Sequence, residues 1–155
     1  MSRMKTIAIN VGSYFEALKG AHPWRARRGD GSFLTFDFGP KLQRDGHRRG
    51  KWHLWVYLAN WVLTHNGREL ANSDSDHRKI DVAVRRLEQV PFSGVEFDAD
   101  QLETIFLFDT FRLSVSPADY VDNPDERDEY WLLFLPDERV VTVGPGGVQT
   151  GSANE

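Results

Sequence analysis

The sequence predicts an α+β fold: a mostly antiparallel β-sheet with one main helix over about residues 76–89 and a short N-terminal helix over about 14–19. Three observations carry this reading. Apolar residues alternate with period two in many short segments, the signature of half-buried strands. One stretch keeps the helical spacing instead, with Ile80, Ala83, Val84 and Leu87 on one face. Between two alternating segments stands Asn66-Gly67, a strong hairpin signal because a two-residue type I′ turn needs φ > 0 twice.

The elements follow in order. Ile7, Ile9 and Val11 share a parity, so Lys5 to Val11 reads as a short strand or ordered arm. Ser13 and Glu16 have the spacing of a capping box, in which hydroxyl and carboxylate each take a backbone N–H. Lys19 and Gly20 suit the end of that helix. So brief a helix is stable only if Phe15 and Leu18 pack on another element. Residues 21–30 read as a loop holding Trp24, Arg25, Arg27 and Arg28. Leu34, Phe36 and Phe38 alternate with Phe33, Thr35 and Asp37 in a strand that Gly39-Pro40 ends. Residues 41–51, with Lys41, Arg44, Arg48, Arg49 and Lys51, read as a solvated basic hairpin loop.

Trp52 to Thr64 is apolar on both parities, which predicts one central strand covered on both faces and bulged near Asn60. Arg68 to Asn72 is the return strand after Asn66-Gly67. The segment Ser73-Asp74-Ser75-Asp76 supplies N-cap residues and favourable acids at the helix start. Asp81 and Arg85 stand as an i,i+4 pair, and Pro91 stops the helix. Strands follow at Val95–Asp98, Leu102–Phe108, Phe111–Ser116, Tyr130–Leu135 and Arg139–Val143. An acidic loop spans 117–129. From Gly144 the composition turns to glycine, serine and asparagine, so a single domain is expected over 1–143 and a flexible tail over 144–155.

Composition narrows the function classes. The 155 residues include no cysteine, which removes thiol catalysis, disulfides and thiolate metal sites and suits a reducing, cytoplasmic setting. No apolar run reaches the ~18 residues of a membrane span. Charge is uneven along the chain. Residues 1–53 hold 11 Lys/Arg against 4 Asp/Glu, and residues 54–155 hold 8 against 19, which together give the net −4. Such asymmetry suits a molecule with one basic and one acidic face.

No catalytic motif emerges. Gly144-Pro145-Gly146-Gly147 lacks the Gly-Lys-Ser/Thr ending of a phosphate loop. His53, His65 and His77 are twelve residues apart, a spacing that matches no compact metal motif. No metal site and no cofactor are therefore expected. Asp74, Asp76 and His77 form the one cluster on which a small enzyme of unrecognised type could rest. Capping explains the same acids. Asp119, Asp122, Asp125, Glu126, Asp128 and Glu129 crowd into eleven residues and suit the steering of a basic partner. A second patch comprises Trp24, Arg25, Arg27, Arg28, Arg44, Arg48, Arg49 and Lys51, residue types that contact phosphates and stack bases.

The run Leu54 to Val62, then Gly67, Ser73 and Asp76, with the later Tyr130-Trp131 strand and the closing Val141 to Gly144 segment, resembles a family of small bacterial proteins. In that family an apolar strand ends in Trp, a hairpin follows, and a Ser-x-x-Asp segment opens the helix. The likeness spans roughly 30–148 and concerns core positions, so it implies fold. It departs at Ala59 and Asn60, where a Cys or Pro is expected before Trp61. Size and build are also similar to immunity proteins that neutralise bacterial toxins, an analogy of type. The leading expectation is a non-enzymatic, cytoplasmic protein-binding domain, an immunity protein or a regulatory subunit, that meets a basic protein partner through the acidic loop. A small enzyme and a nucleic-acid binder are the alternatives.

Overall fold

The computed structural model describes residues 10–44, 46–118 and 129–153. Strand residues outnumber helical ones, 53% against 16%, so the molecule is α+β with mostly antiparallel sheets and one main helix. A 3₁₀ helix spans Val11–Leu18. The strands are β1 (Arg25–Arg28), β2 (Leu34–Arg44), β3 (His47–Val56), β4 (Ala59–His65), β5 (Arg68–Asn72), β6 (Gly94–Asp98), β7 (Glu103–Phe108), β8 (Phe111–Pro117), β9 (Trp131–Phe134), β10 (Arg139–Gly144) and β11 (Gly147–Ser152). Helix α1 (His77–Arg85) lies between β5 and β6 and runs into a 3₁₀ turn at Arg86–Gln89.

The strands form two sheets. One has the order β1-β2-β3-β9-β10-β11, the other β5-β4-β8-β7-β6. Their inner faces meet in an aromatic core. Phe36 of the first sheet stacks on Phe108 of the second with centroids 5.7 Å apart. Trp131 stands edge-on to Phe106 and donates its indole N–H to Thr104 Oγ1 at 2.9 Å. The 3₁₀ helix inserts Phe15 against Phe92, Phe106 and Trp131, the outside packing that so short a helix requires. Helix α1 buries Ile80, Ala83 and Val84 and packs on both β1 and β5, one terminal strand of each sheet.

Much of the expected local chemistry is present. Asn66 and Gly67 have φ of 52° and 81° and join β4 to β5. Asp76 caps α1 by accepting from the Lys79 N–H at 3.0 Å. Glu96 and Asp98 face solvent on β6.

Other expectations are corrected. The N-terminal helix is 3₁₀ and begins at Val11. Ser13 lies inside it and donates Oγ–H to the Asn10 carbonyl at 2.7 Å, so no capping box forms, and Glu16 pairs with Lys19 instead. Of the expected arm over Lys5 to Val11, residues 5–9 lie outside the described residues. Asp81 bonds Arg28 from β1 at 2.7 Å instead of pairing with Arg85, because α1 lies against that strand. The basic segment 41–51 is no loop: β2 runs through Gly39-Pro40 to Arg44, and β3 starts at His47. The expected tail contains β11, paired with β10 along its whole length.

The largest correction concerns Trp52 to Thr64. It is two strands in different sheets, with the crossing at Tyr57 and Leu58. Leu54 and Val56 point into the core from the first sheet, Ala59, Trp61 and Leu63 from the second. The inward parity flips at the crossing, so the segment reads as apolar on both sides although each strand has one buried face.

Candidate functional site

The outer face of the six-stranded sheet is where unusual side chains gather. Strand register puts Arg25 opposite Asp37, Asp37 opposite His53, and His53 opposite Phe134. These four residues of β1, β2, β3 and β9 thus form one row across the sheet. The row depends on a bulge. Below it Lys41 pairs with Gly50, and above it Phe38 pairs with Trp52, a shift of one residue. Without that shift Asp37 would stand opposite Leu54, an inward residue. Two glycines make the bulge fit. Gly39 has φ of 76°, and a Cβ there would lie 2.8 Å from the Trp52 ring. A Cβ on Gly50 would lie 2.5 Å from the Phe38 carbonyl oxygen.

Asp37 is fully buried. Its Oδ1 lies 2.6 Å from His53 Nδ1 and accepts the Gly50 N–H at 2.8 Å. Its Oδ2 makes no hydrogen bond and faces Arg25 Nη1 at 3.4 Å. A buried carboxylate is tolerated only with such partners. The contact through Nδ1 fixes the orientation of the imidazole, which is packed between Trp55 and Phe134 at 5.7 and 5.9 Å between centroids.

Aromatic rings and cations surround this row. Arg25 and Lys41 each lie 4.8 Å from the Trp24 ring centre, and the Trp24 indole N–H donates to the Gly39 carbonyl. Arg25 also donates to the Arg48 carbonyl at 3.2 Å. Arg49 lies 4.7 Å over the Phe134 ring. Trp55 stacks along Tyr57, and Tyr57 touches Phe33 at 4.4 Å. At 38% exposure, Trp55 is a large apolar side chain left open to solvent. A cleft of about 400 Å³ opens beside it, lined by Asp30, Phe33, Thr35, Trp55 and Tyr57.

The sequence-predicted patches divide. Trp24, Arg25 and Arg49 come together on this face, the two arginines on strands and Trp24 just before β1; Arg48 meets Arg25 through its backbone carbonyl, and Lys51 precedes His53 by one outward position on β3. Arg27 and Arg28 leave the group. Arg27 pairs with Glu88, whose Oε2 also accepts the Ala26 N–H at 2.8 Å, and Arg28 pairs with Asp81. Burial lowers the pKa of Arg27, and the nearby Arg85 and Arg25 act in the same direction. Arg44 lies on β2, with its side chain outside the described set. Of the acidic patch, Asp119, Asp122, Asp125, Glu126 and Asp128 lie outside the described residues, and Glu129 accepts the Leu58 N–H through its carbonyl.

The histidines do not converge. His53 belongs to the row, His65 stacks on Phe111 at the far end of β4, and His77 is exposed in the first turn of α1. Among the described residues no group of three or more His, Asp or Glu side chains could hold a metal. Asp76 is spent on capping, and Asp74 and His77 point into solvent. Sequence reading missed Asp37, Phe33, Trp55, Tyr57 and Phe134 as surface features. Asp45-Gly46 was the available signal, since Asp-Gly is a hairpin dipeptide. Counting outward from it brings Asp37 within one residue of His53.

No helix among the described residues is long and apolar enough to cross a membrane. No family model matches the chain, no curated protein matches it, and no solved structure matches it. The resemblance at residues 30–148 therefore rests on its own residues.

Proposed function

We propose that this chain is a non-enzymatic protein-binding domain whose contact surface is the outer face of the six-stranded sheet and whose partner presents acidic groups to it. One observation carries the reading: the exposed Trp55 stands among Tyr57, Phe134 and Arg49 on the outer face of the sheet. Trp, Tyr and Arg dominate the energetics of protein interfaces, and an open aromatic cluster is unusual on a surface with no partner. Arg25, Lys41 and Lys51 supply the charge that an acidic partner would meet. The cysteine-free composition supports a cytoplasmic setting. A toxin-neutralising immunity protein and a regulatory subunit are the two roles of this class that the size suits.

A second reading has its own observation. Aromatic rings on a sheet face beside arginines also form a stacking surface for single-stranded nucleic acid. One experiment separates the two. Tagged wild-type protein, Trp55→Ala and Lys51→Glu are used to capture partners from host lysate, with and without nuclease. The expected result is one stoichiometric protein that survives nuclease and is lost with Trp55→Ala, whose truncation should cost about 2 kcal/mol or more, roughly 30-fold in Kd. A partner lost with nuclease transfers the face to nucleic acid. Equal capture by all three proteins overturns the surface.

A further inference from the structure

We infer that the cleft between the β4–β5 hairpin and the end of helix α1 is a binding site for a dianionic phosphate group. It belongs to the five-stranded sheet, apart from the outer face around Trp55. Strand register builds it. His65 of β4 stands opposite Arg68 of β5 on one side and Phe111 of β8 on the other, so the three form a row at the end of the sheet. The register between β4 and β5 shifts by one residue between Leu63 and Thr64. Without that shift Glu69 would stand opposite His65, an acid in place of the arginine. The side chains then hold one another. The His65 ring stacks on Phe111 with centroids 4.1 Å apart. Arg86, from the 3₁₀ turn that follows α1, lies 5.1 Å from the centre of the same Phe111 ring, and the Asn66 amide nitrogen lies 3.4 Å from His65 Nε2. A cavity of about 430 Å³ opens here, lined by His65, Asn66, Arg68, Leu70 and Arg86.

Charge selects the ligand. Arg27, Arg28, Arg112 and Arg139 each meet a carboxylate. Among the described residues Arg68 and Arg86 have no carboxylate partner, and no acid lines the cavity. A cation at a helix C-terminus is ordinary, and Arg85 is one; Arg86 is drawn over Phe111 to the cavity instead. Two guanidinium forks, an imidazole and a side-chain amide offer more N–H groups than the two oxygens of a carboxylate can accept. A phosphate monoester brings three terminal oxygens and, above its second pKa of about 6, nearly two negative charges, and planar guanidinium groups meet such oxygens bidentately. Leu70 and Arg86 also line a second cleft, which runs along α1. There Ala83 and the exposed Val82 form an apolar wall beside Arg78 and Lys79, and the Asp76 carboxylate accepts the Lys79 N–H as helix cap. That wall suits the organic body of a phosphate ester.

The full chain is titrated at about pH 7.5 and constant ionic strength, where phosphate is mostly dianionic, with inorganic phosphate, acetate and phenyl phosphate in turn. Amide and His65 ring signals are followed by NMR. Inorganic phosphate should shift Asn66, Arg68 and Arg86 to saturation, and acetate should bind at least about tenfold more weakly. This comparison needs no variant. Arg68→Gln and Arg86→Gln, both at exposed positions, should each raise the phosphate Kd about tenfold. Arg86→Lys should recover only part of that loss, because it restores the charge without the fork. Arg85→Gln removes the same charge one residue away, outside the cavity, and should leave Kd nearly unchanged. Phenyl phosphate separates the two sources of the group: a gain over inorganic phosphate that Val82→Ser removes assigns the site to an ester, and equal binding assigns it to free phosphate. Shifts that do not saturate, equal binding of acetate and phosphate, or the same loss in Arg85→Gln as in Arg86→Gln overturns the proposal.

Discussion

The two sheets turn unlike faces to solvent. The five-stranded sheet shows Asn60, Thr64, Ser114 and Ser116 beside the half-buried Val62, Ile105 and Leu107, with Arg112 and Glu96 3.5 Å apart and both about half exposed. That face mixes short polar and aliphatic side chains, and its acids Glu96, Asp98 and Glu103 are exposed. The six-stranded sheet shows Trp55, Tyr57 and Phe134 over a fully buried Asp37 held by His53, Gly50 and Arg25. Both sheets fill the same core from their inner sides, so folding alone does not call for the difference. A carboxylate on a sheet's outer face is normally hydrated. This one has been enclosed beside a bulge and two glycines, against an imidazole packed between Trp55 and Phe134, at a cost in desolvation that an exposed acid avoids.

The sharpest way to break the comparison is to delete the buried acid. Asp37→Ala strips His53 Nδ1 and the Gly50 N–H of their common acceptor and Arg25 of its counter-charge. Removing one member of a buried ion pair costs about 3–5 kcal/mol, so Tm should fall by roughly 10 °C. Ser114→Ala on the other outer face should change stability by no more than about 0.5 kcal/mol. Thermal melts of both variants check this, and equal losses would show that the two faces are energetically alike. Gly50→Ala should approach the Asp37 result, because its Cβ would collide with rigid backbone at Phe38.

A smaller effect is expected from the acidic run. Neutralising Asp122, Asp125, Asp128 and Glu129 together to Asn and Gln should leave the domain folded. If the partner carries a basic surface as well, the variant slows association and raises Kd, with dissociation little affected. Surface plasmon resonance on the captured partner reads this directly. An unchanged association rate assigns recognition to the sheet face alone, and Trp55→Ala then acts chiefly on dissociation.

What was legible in the sequence follows the range of the signal. Asn66-Gly67, Asp76 before the α1 repeat, and the alternation of Phe111, Leu113 and Val115 act over a few residues, and the fold class followed from them. The sheet switch at Tyr57 was hidden because two buried half-patterns of opposite parity add up to one uniformly apolar run. The tail was misread at β11 because glycine and serine have low strand propensity, and only the ladder to β10 makes that segment extended. Asp37 and His53 are sixteen residues apart, and each reads alone as an ordinary outward residue. Their meeting depends on a one-residue bulge at Gly39-Pro40, where proline reads as a strand end. The candidate site was therefore half visible, as a set of arginines and a tryptophan without the row that organises them.

The last test sets the buried pair against an exposed one. In the turn between β9 and β10, Asp137 Oδ2 accepts from Arg139 Nε at 2.7 Å, with both side chains 54% exposed. The hydrogen bond from Arg139 holds the Asp137 carboxyl below its usual range, and neighbouring backbone N–H groups act in the same direction. A carboxyl with a depressed folded-state pKa stabilises the fold above its unfolded value, about 3.9 for Asp, and loses that contribution as pH falls through the folded value. Asp137→Asn should therefore lower Tm slightly at neutral pH, and the gap to wild type should close in strong acid. Salt should shrink the gap too, since exposed pairs are screened. The Asp37→Ala deficit should survive high salt in the main, because Asp37, His53 and the Gly50 N–H are shielded from solvent. Melts in low and high salt decide the matter: a salt-sensitive Asp37 deficit would mean that the enclosed carboxylate behaves as a surface charge, and the contrast between the two outer faces would then be one of composition alone.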